Sequence, residues 1–375
     1  MLYAGAHSVI PYGRQTIGDD DVAAVVDVLR GSWITSGPTV ARFEDALCSV
    51  TEAEHAIAFS NGTAALHAAI WAAGIGEDDR VVTSPLSFVA SANCARYVGA
   101  TPSFVDIDPA TLNLDLSLVG SCDALVAVHY AGLPADLRAL PVRPRVVVED
   151  AAHALGARTP DGPVGNCARS DLCTFSFHPV KAITTGEGGA VTTNSDELAE
   201  RLRRFRSHGM VAKPEAPGEG GWYYEVETLG FNYRITDLQC ALGISQLGKL
   251  GRFVTRRNEL ADRYRALLAD VPGVVLPPAA PRAGWRHGYH LFPVQVAQRR
   301  RVYDELRAAG IAVQVHYVPI YRHPLYAHTG VTGAEFPETE RVYAGLLSLP
   351  LFPSLTEADQ DRVVDALVGA VTRIQ

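Results

Sequence analysis

The sequence predicts an α/β fold: a mostly parallel central sheet sandwiched by helices, followed by a smaller C-terminal α+β unit. Three observations support this. Short apolar runs alternate with helical patterns through the first half of the chain. Those runs are apolar throughout rather than alternating, as strands covered on both faces are. After Asn194 the texture shifts to longer, charged helices. The chain has 375 residues, 47% of them hydrophobic, enough for a large buried core and roughly two to three domains.

Asp19–Gly31 reads as an amphipathic helix with acids in its first turn and glycine at its end, and Thr39–Val50 as a second helix. His55–Ser60 is an expected strand that runs into Asn61-Gly62-Thr63, ahead of a helix over Ala64–Ala73. Strand Arg80–Ser84, helix Phe88–Val98 and strand Pro102–Asp106 follow, then apolar runs at Ala124–His129, Arg145–Glu149, Leu172–Phe177 and Gly189–Thr193. Ser195–Ser207 is a charged helix. Ala212–Gly221, rich in Pro, Gly and acids, reads as a mobile surface loop. Helices are expected over Thr236–Leu247 and Arg252–Ala269. From about Gly288 come strand His290–Val296, helix Arg299–Ala309, strand Ala312–Tyr317 and a last helix Glu357–Ile374. The expected division is an N-terminal segment 1–15, a large domain 16–248 and a small C-terminal domain 249–375.

Composition narrows the partners. With 33 basic and 41 acidic residues the formal net charge is -8, so the chain gains nothing from counterion release and no nucleic-acid partner is expected. The cluster Arg201, Arg203, Arg204 and Arg206 reads as a solvated helix face. No apolar run approaches the ~18 residues that span a bilayer, and Met1–Pro11 lacks the pattern of a secretory signal. No membrane partner is expected. The six cysteines are scattered with no C-x-x-C pair. That argues against a zinc site or disulfide framework, predicts no metal, and suits a reducing cytoplasm.

Lysine usage is more telling. There are three lysines, Lys181, Lys213 and Lys249, against 30 arginines. Arginine stays protonated and cannot form a Schiff base with an aldehyde, so a retained lysine is a candidate for amine chemistry. Lys213 falls in the Pro/Gly-rich loop and Lys249 near a helix end, and both are expected to be exposed. Lys181 lies between apolar strands, where burial lowers a lysine's pKa and leaves the neutral amine that Schiff-base formation needs.

Other residues gather around it. Ser60-Asn61-Gly62-Thr63 opens a helix, where free amides favour an anion, although an ordinary N-capped helix fits as well. Glu149-Asp150 closes a buried strand at the end where ligands bind in open α/β sheets, and Asp150 equally suits a cap for Ala151–Leu155. His153 lies on the same turn, as a ligand contact or a packed polar residue. Phe88 offers a flat surface for a ring, or is core. The stretch Thr174–Lys181 brings Ser176 and Lys181 to one sheet edge, and Thr184–Gly189 turns the chain back. An anion cradle, a carboxylate, a flat surface and a lysine together are what pyridoxal 5′-phosphate (PLP) requires.

The ordered set resembles the DegT/StrS group of PLP-dependent sugar aminotransferases, of fold type I, over nearly the whole chain. Its marks are Ser36-Gly37-Pro38 with Phe43-Glu44, Asn61 to Leu66, Glu149 to His153, Ser176 to Lys181, Gly186 to Gly189, and Gly230 to Arg234 leading into Thr236-Asp237. The resemblance implies that Lys181 holds PLP as a Schiff base and acts as general base and acid. It implies that Asp150 keeps the pyridine nitrogen protonated and that His153, where much of the group has Gln, meets the ring hydroxyl. Gly62, Thr63 and Ser176 would hold the phosphate and Phe88 would stack on the ring. Asn232 would reach the phosphate of the other subunit in an obligate homodimer with shared active sites.

The stretches His178–Glu187 and Tyr223-Tyr224-Glu225 are similar to the subgroup of pseudaminic acid synthesis. The implied reaction moves an amino group from L-glutamate, through a pyridoxamine phosphate (PMP) intermediate, to a nucleotide-linked keto-deoxy sugar. The implied target is the 4-keto position of a UDP-linked 6-deoxy N-acetyl sugar. His178, Tyr223, His316 and Tyr317 are the candidates for substrate contact. A cyclitol or dTDP-linked antibiotic sugar would use the same cofactor residues. Sugar dehydratases of the group carry His in place of the lysine. A PLP-binding sensor would be expected to bring a basic DNA-binding domain, and the sequence shows none.

Overall fold

Runs of small and β-branched apolar residues become the strands of one seven-stranded sheet. The computed structural model describes residues 9–213, 216, 219–281 and 283–373. Two helices come first, α1 (Asp19–Arg30) and α2 (Pro38–Thr51). Then β1 (His55–Phe59), α3 (Gly62–Ala72), β2 (Arg80–Thr83), α4 (Ala90–Tyr97), β3 (Thr101–Phe104), β4 (Ala124–Val128) and β5 (Val146–Asp150) follow in turn. A small hairpin, β6 (Arg158–Thr159) and β7 (Gly162–Pro163), precedes β8 (Leu172–Ser176), β9 (Gly189–Thr193) and α5 (Asp196–Arg206). The sheet order is β1-β9-β8-β5-β4-β2-β3. From β8 to β3 every pairing is parallel, whereas β9 runs opposite to both its neighbours. The Gly-rich connection between β8 and β9 has no crossover helix, so the chain can only return antiparallel.

Strand β5 shows how the layers form. Val146 and Val148 join the core under α3 and α4, while Val147 faces the opposite layer with Leu125 and Ala127. The period of two therefore turns Asp150 toward the α3–α4 side and Glu149 away from it.

Beyond the hairpin of β10 (Met210–Ala212) and β11 (Tyr224–Val226), α6 (Asp237–Leu247) packs on α1 and α2. Helix α7 (Leu250–Leu268) spans two cores: Leu250 and Val254 pack with the large layer, Leu260 to Leu268 with a second one. That second core covers the antiparallel sheet of β12 (Val274–Val275), β13 (Phe292–Val296) and β14 (Leu346–Leu349). With it go α8 (Arg299–Ala308), α9 (Pro337–Gly345) and α10 (Glu357–Thr372). Ile10 also lies in this core and bridges to Ile311, so this part of the chain is built into the second unit.

Four expectations need correcting. Ala312–Tyr317 is not a strand but touches β14 through a single bridge, Gln314 to Ser348. Its His316 carbonyl accepts the Tyr130 hydroxyl instead of a ladder partner. The helix expected from Phe88 starts at Ala90. Ala151–Leu155 forms a turn, not a helix. Lys249 is not exposed: it bonds Asp20 at 2.6 Å and Asp21 at 2.7 Å, because the acidic first turn of α1 meets the end of α6. Lys213 is partly exposed beside Glu227. Residues 1–8, Ile374 and four residues of the loop expected at Ala212–Gly221 lie outside the described residues. Among the described residues no helix is long and apolar enough to cross a membrane.

Asp237 links α6 to α2. Fully buried, it accepts the Gly37 amide at 2.7 Å and the Thr39 amide at 2.9 Å, closing the open end of α2. Asp237→Ala strands both donors and should lower stability by about 2–3 kcal/mol, read from the urea-unfolding midpoint.

Candidate active site

The parallel strands end on one edge of the sheet, and a cavity of about 790 Å³ opens there. Lys181 lines it, three residues after His178, whose carbonyl accepts the Lys181 amide at 2.9 Å. Burial pushes the Lys181 ammonium down from 10.5 to about 8, against the opposing pull of the Asp150 carboxylate. The lysine therefore has a substantial neutral fraction near physiological pH.

Asp150 is buried where β5 ends. One carboxylate oxygen accepts the Ser91 hydroxyl at 2.7 Å, and Ser91 is itself 2.7 Å from the Ser87 hydroxyl. The other oxygen accepts the Ala152 amide at 3.2 Å. His153 follows on the turn, its Nε2 3.0 Å from the Tyr317 hydroxyl and its ring centroid 4.4 Å from that of His290. The Nδ1 atoms of both histidines are buried and have no hydrogen-bond partner among the described residues. Burial, reinforced by the nearby Lys181 charge, holds both imidazoles well below their ordinary pKa. His316 is lowered to about 4 for the same reasons, so all three rings are neutral.

The start of α3 faces Ser176 across the cavity floor. Asn61 caps the helix by accepting the Ala64 amide at 2.8 Å, which leaves the first-turn amides of Gly62 and Thr63 for a ligand. A Cβ on Gly62 would sit 2.8 Å from the Ser176 Cβ, so glycine is what lets the helix end abut the strand end. At the mouth, Phe88 is exposed, with its ring centroid 6.0 Å from that of Tyr317, and His178 lies on the rim.

The cavity thus brings together Gly62, Thr63, Phe88, Asp150, His153, Ser176, His178, Lys181, His316 and Tyr317. It does not gather Asn232 or Tyr223. Asn232 is exposed and bridges to Ser207, while Tyr223 sits by the β10–β11 hairpin with its hydroxyl near Glu225. Sequence reasoning missed Tyr12, Ser87, Ser91, Glu187 and His290. Ser87 and Ser91 are four apart, which puts both hydroxyls on one side of the chain as α4 begins, a faint signal. His290 reads as an ordinary strand residue, and nothing local marks Tyr12.

The described atoms fit a pyridoxal cofactor. They offer an amine, a buried carboxylate, an amide cradle closed by a glycine, and unpartnered imidazole nitrogens. Among the described residues no cluster of His, Cys, Asp or Glu could hold a metal. An open α/β sheet with this set at its strand ends defines a PLP-dependent transferase of fold type I.

Comparison with known proteins agrees. The profile of the DegT/DnrJ/EryC1/StrS aminotransferase family matches residues 15–368. The spore coat polysaccharide biosynthesis protein SpsC of Bacillus subtilis is 37% identical over 96% of both chains. Spr1654 of Streptococcus pneumoniae in its PMP form superposes with a TM-score of 0.90 at 26% identity, covering 98% of this chain and 100% of that one. It is also solved in a PLP form. Helicobacter pylori PseC, an aminotransferase involved in the biosynthesis of pseudoaminic acid, superposes at 0.88 with 30% identity, over 98% of this chain and 100% of that one. The chain belongs to the DegT/DnrJ/EryC1/StrS aminotransferase family and is a PLP-dependent sugar aminotransferase.

Only the neutral amine attacks an aldehyde. Capture of PLP by the apoprotein, followed by absorbance, should quicken with pH and level off above about 8. A rate still climbing toward the ordinary lysine value would contradict a desolvated amine.

Proposed function

We propose that the enzyme aminates a nucleotide-linked keto-deoxy sugar with L-glutamate as donor, through a PMP intermediate. We propose as its target the 4-keto position of a UDP-linked 6-deoxy N-acetyl sugar. The observation that carries the reading is Lys181, with its lowered pKa, lining a cavity beside Asp150. A cavity of about 790 Å³ suits a cofactor and a substrate together. The likeness to PseC and the sequence of His178–Glu187 support the sugar class.

Each residue then has a task. Gly62, Thr63 and Ser176 hold the phosphate, Asp150 meets the ring nitrogen, His153 the ring hydroxyl, and Phe88 the ring face. Bound there, PLP supplies an aldehyde that takes up the amino group and returns it, and a protonated ring that delocalises the electrons left at the donor carbon. With PLP bound, the free Lys181 amine would serve as general base and acid, taking the proton from the donor's α-carbon and returning it at C4′. Neutral His316 and Tyr317 face the sugar from within the cavity, with His178 at its rim. Holding donor and acceptor in turn against one amine supplies proximity.

We further propose a homodimer with shared sites, working in the cytoplasm. Asn232 is exposed and does not line its own cavity, and the stretch before it exposes Leu229 at 81% and Trp222 at 77%, which a second copy would cover. On this reading Asn232 reaches the partner's phosphate and Tyr223 the partner's substrate. The six free thiols suit a reducing compartment.

Incubation with glutamate and a panel of nucleotide-linked 3-keto and 4-keto sugars tests the substrate. A 4-amino product with 2-oxoglutarate is expected, and Lys181→Ala should cut turnover by at least roughly 10²–10⁴-fold. Loss of water without gain of an amine, or full turnover by Lys181→Ala, would sink the proposal.

A further inference from the structure

Behind Asp150, on the opposite face of β5, lies a polar cluster that the chemistry above does not use. Glu149 is 8% exposed. One of its oxygens accepts from His129 Nε2 at 2.7 Å and the other from the Ser170 hydroxyl at 2.5 Å. His129 is fully buried just after β4, and its Nδ1 accepts the Ala135 amide at 3.1 Å. Nδ1 is thus an acceptor, and Nε2 donates to the carboxylate. Burial pushes the Glu149 carboxyl up, but the His129 and Ser170 bonds outweigh it and hold it below its ordinary value. None of the three residues lines the cavity. Apolar residues would fill this space without the desolvation that a buried carboxylate brings.

The cluster is joined to Asp150 through the backbone. The His129 amide donates to the Asp150 carbonyl at 3.1 Å. The Thr174 hydroxyl donates to the Glu149 carbonyl at 3.2 Å, and the Ala151 amide to the Thr174 carbonyl at 2.9 Å. Successive side chains on a strand point to opposite faces, so fixing the Glu149 carboxylate fixes the pleat that directs Asp150. Ser91 steadies Asp150 from the cavity side, and His129 with Ser170 hold the strand from behind.

We propose that His129, Glu149 and Ser170 are positioning residues that fix the aim of Asp150 at the cofactor's ring nitrogen, a role resting on the reading of Asp150 given above. Catalysis is sensitive to such aim because a small misplacement of a positioned group is felt in the chemical step.

The holoenzyme tests this. Glu149→Gln keeps the side chain's shape but sets an amide against two donors. It should lower kcat roughly tenfold or more, leave KM for both substrates within about threefold, and shift the visible absorbance band of bound PLP. His129→Gln keeps a donor near the Nε2 position and should recover most of what His129→Leu loses. In an Asp150→Asn background, Glu149→Gln should change neither kcat nor the band further. Unchanged kcat and band in Glu149→Gln, or effects that multiply independently in the double variant, would overturn the proposal. Should Glu149→Gln fail to fold, Ser170→Ala must show the same band shift and a smaller loss of kcat, and no change there overturns it. Asp150→Asn enzyme with full turnover and an unaltered band would instead refute the role given to Asp150, whatever Glu149→Gln does.

Discussion

The site depends on holding one amine largely out of bulk water beside one carboxylate. Lys181 is shifted mainly by desolvation, and Asp150 opposes that shift. Were desolvation unopposed, the lysine would drop further. With a stronger ion pair it would stay protonated and inert toward an aldehyde. The same burial keeps His153, His290 and His316 neutral around Lys181.

That burial in turn requires both structural units. The large sheet supplies Asp150, Ser176 and Lys181, and the second unit supplies His290, His316 and Tyr317. Arg257 on α7 ties the two together from a fully buried position. It donates to the carbonyls of Tyr289 at 3.2 Å, His290 at 3.4 Å and Leu351 at 2.9 Å, and is 3.5 Å from the Val180 carbonyl next to Lys181. Among the described residues no carboxylate pairs with it, and burial lowers its pKa to about 10. Carbonyl dipoles alone accommodate that charge, which makes the junction between the units specific in geometry as well as apolar.

Local chemistry explains which parts of this were legible. The strands of the large sheet read clearly because fully buried strands are continuous apolar runs. Lys181 stands out because a lysine between apolar strands breaks the local pattern, whereas the Asn61-Gly62 turn and Asp150 equally fit ordinary caps and point to a site only in company with the other motifs. Strand β14 and helix α9 did not, since Leu346–Leu349 is too short for periodicity to separate strand from helix. Ala312–Tyr317 has strand composition, but a tertiary contact from Tyr130 takes its carbonyl, which no local pattern encodes. Tyr12 and His290 enter the cavity for the same kind of reason. They are brought there by contacts between distant segments, as when the Leu351 amide bonds the Tyr12 carbonyl at 3.0 Å. Lys249 misled for want of long-range information, because its acidic partners lie in α1.

Lys181, alone among three lysines, is proposed to be made into an amine nucleophile by its surroundings. Borohydride reduction of the holoenzyme followed by peptide mass mapping tests it directly. Covalent cofactor is expected on the peptide containing Lys181 and none at Lys213 or Lys249. Cofactor fixed at either of those lysines, or bound with no covalent attachment to any, would contradict it.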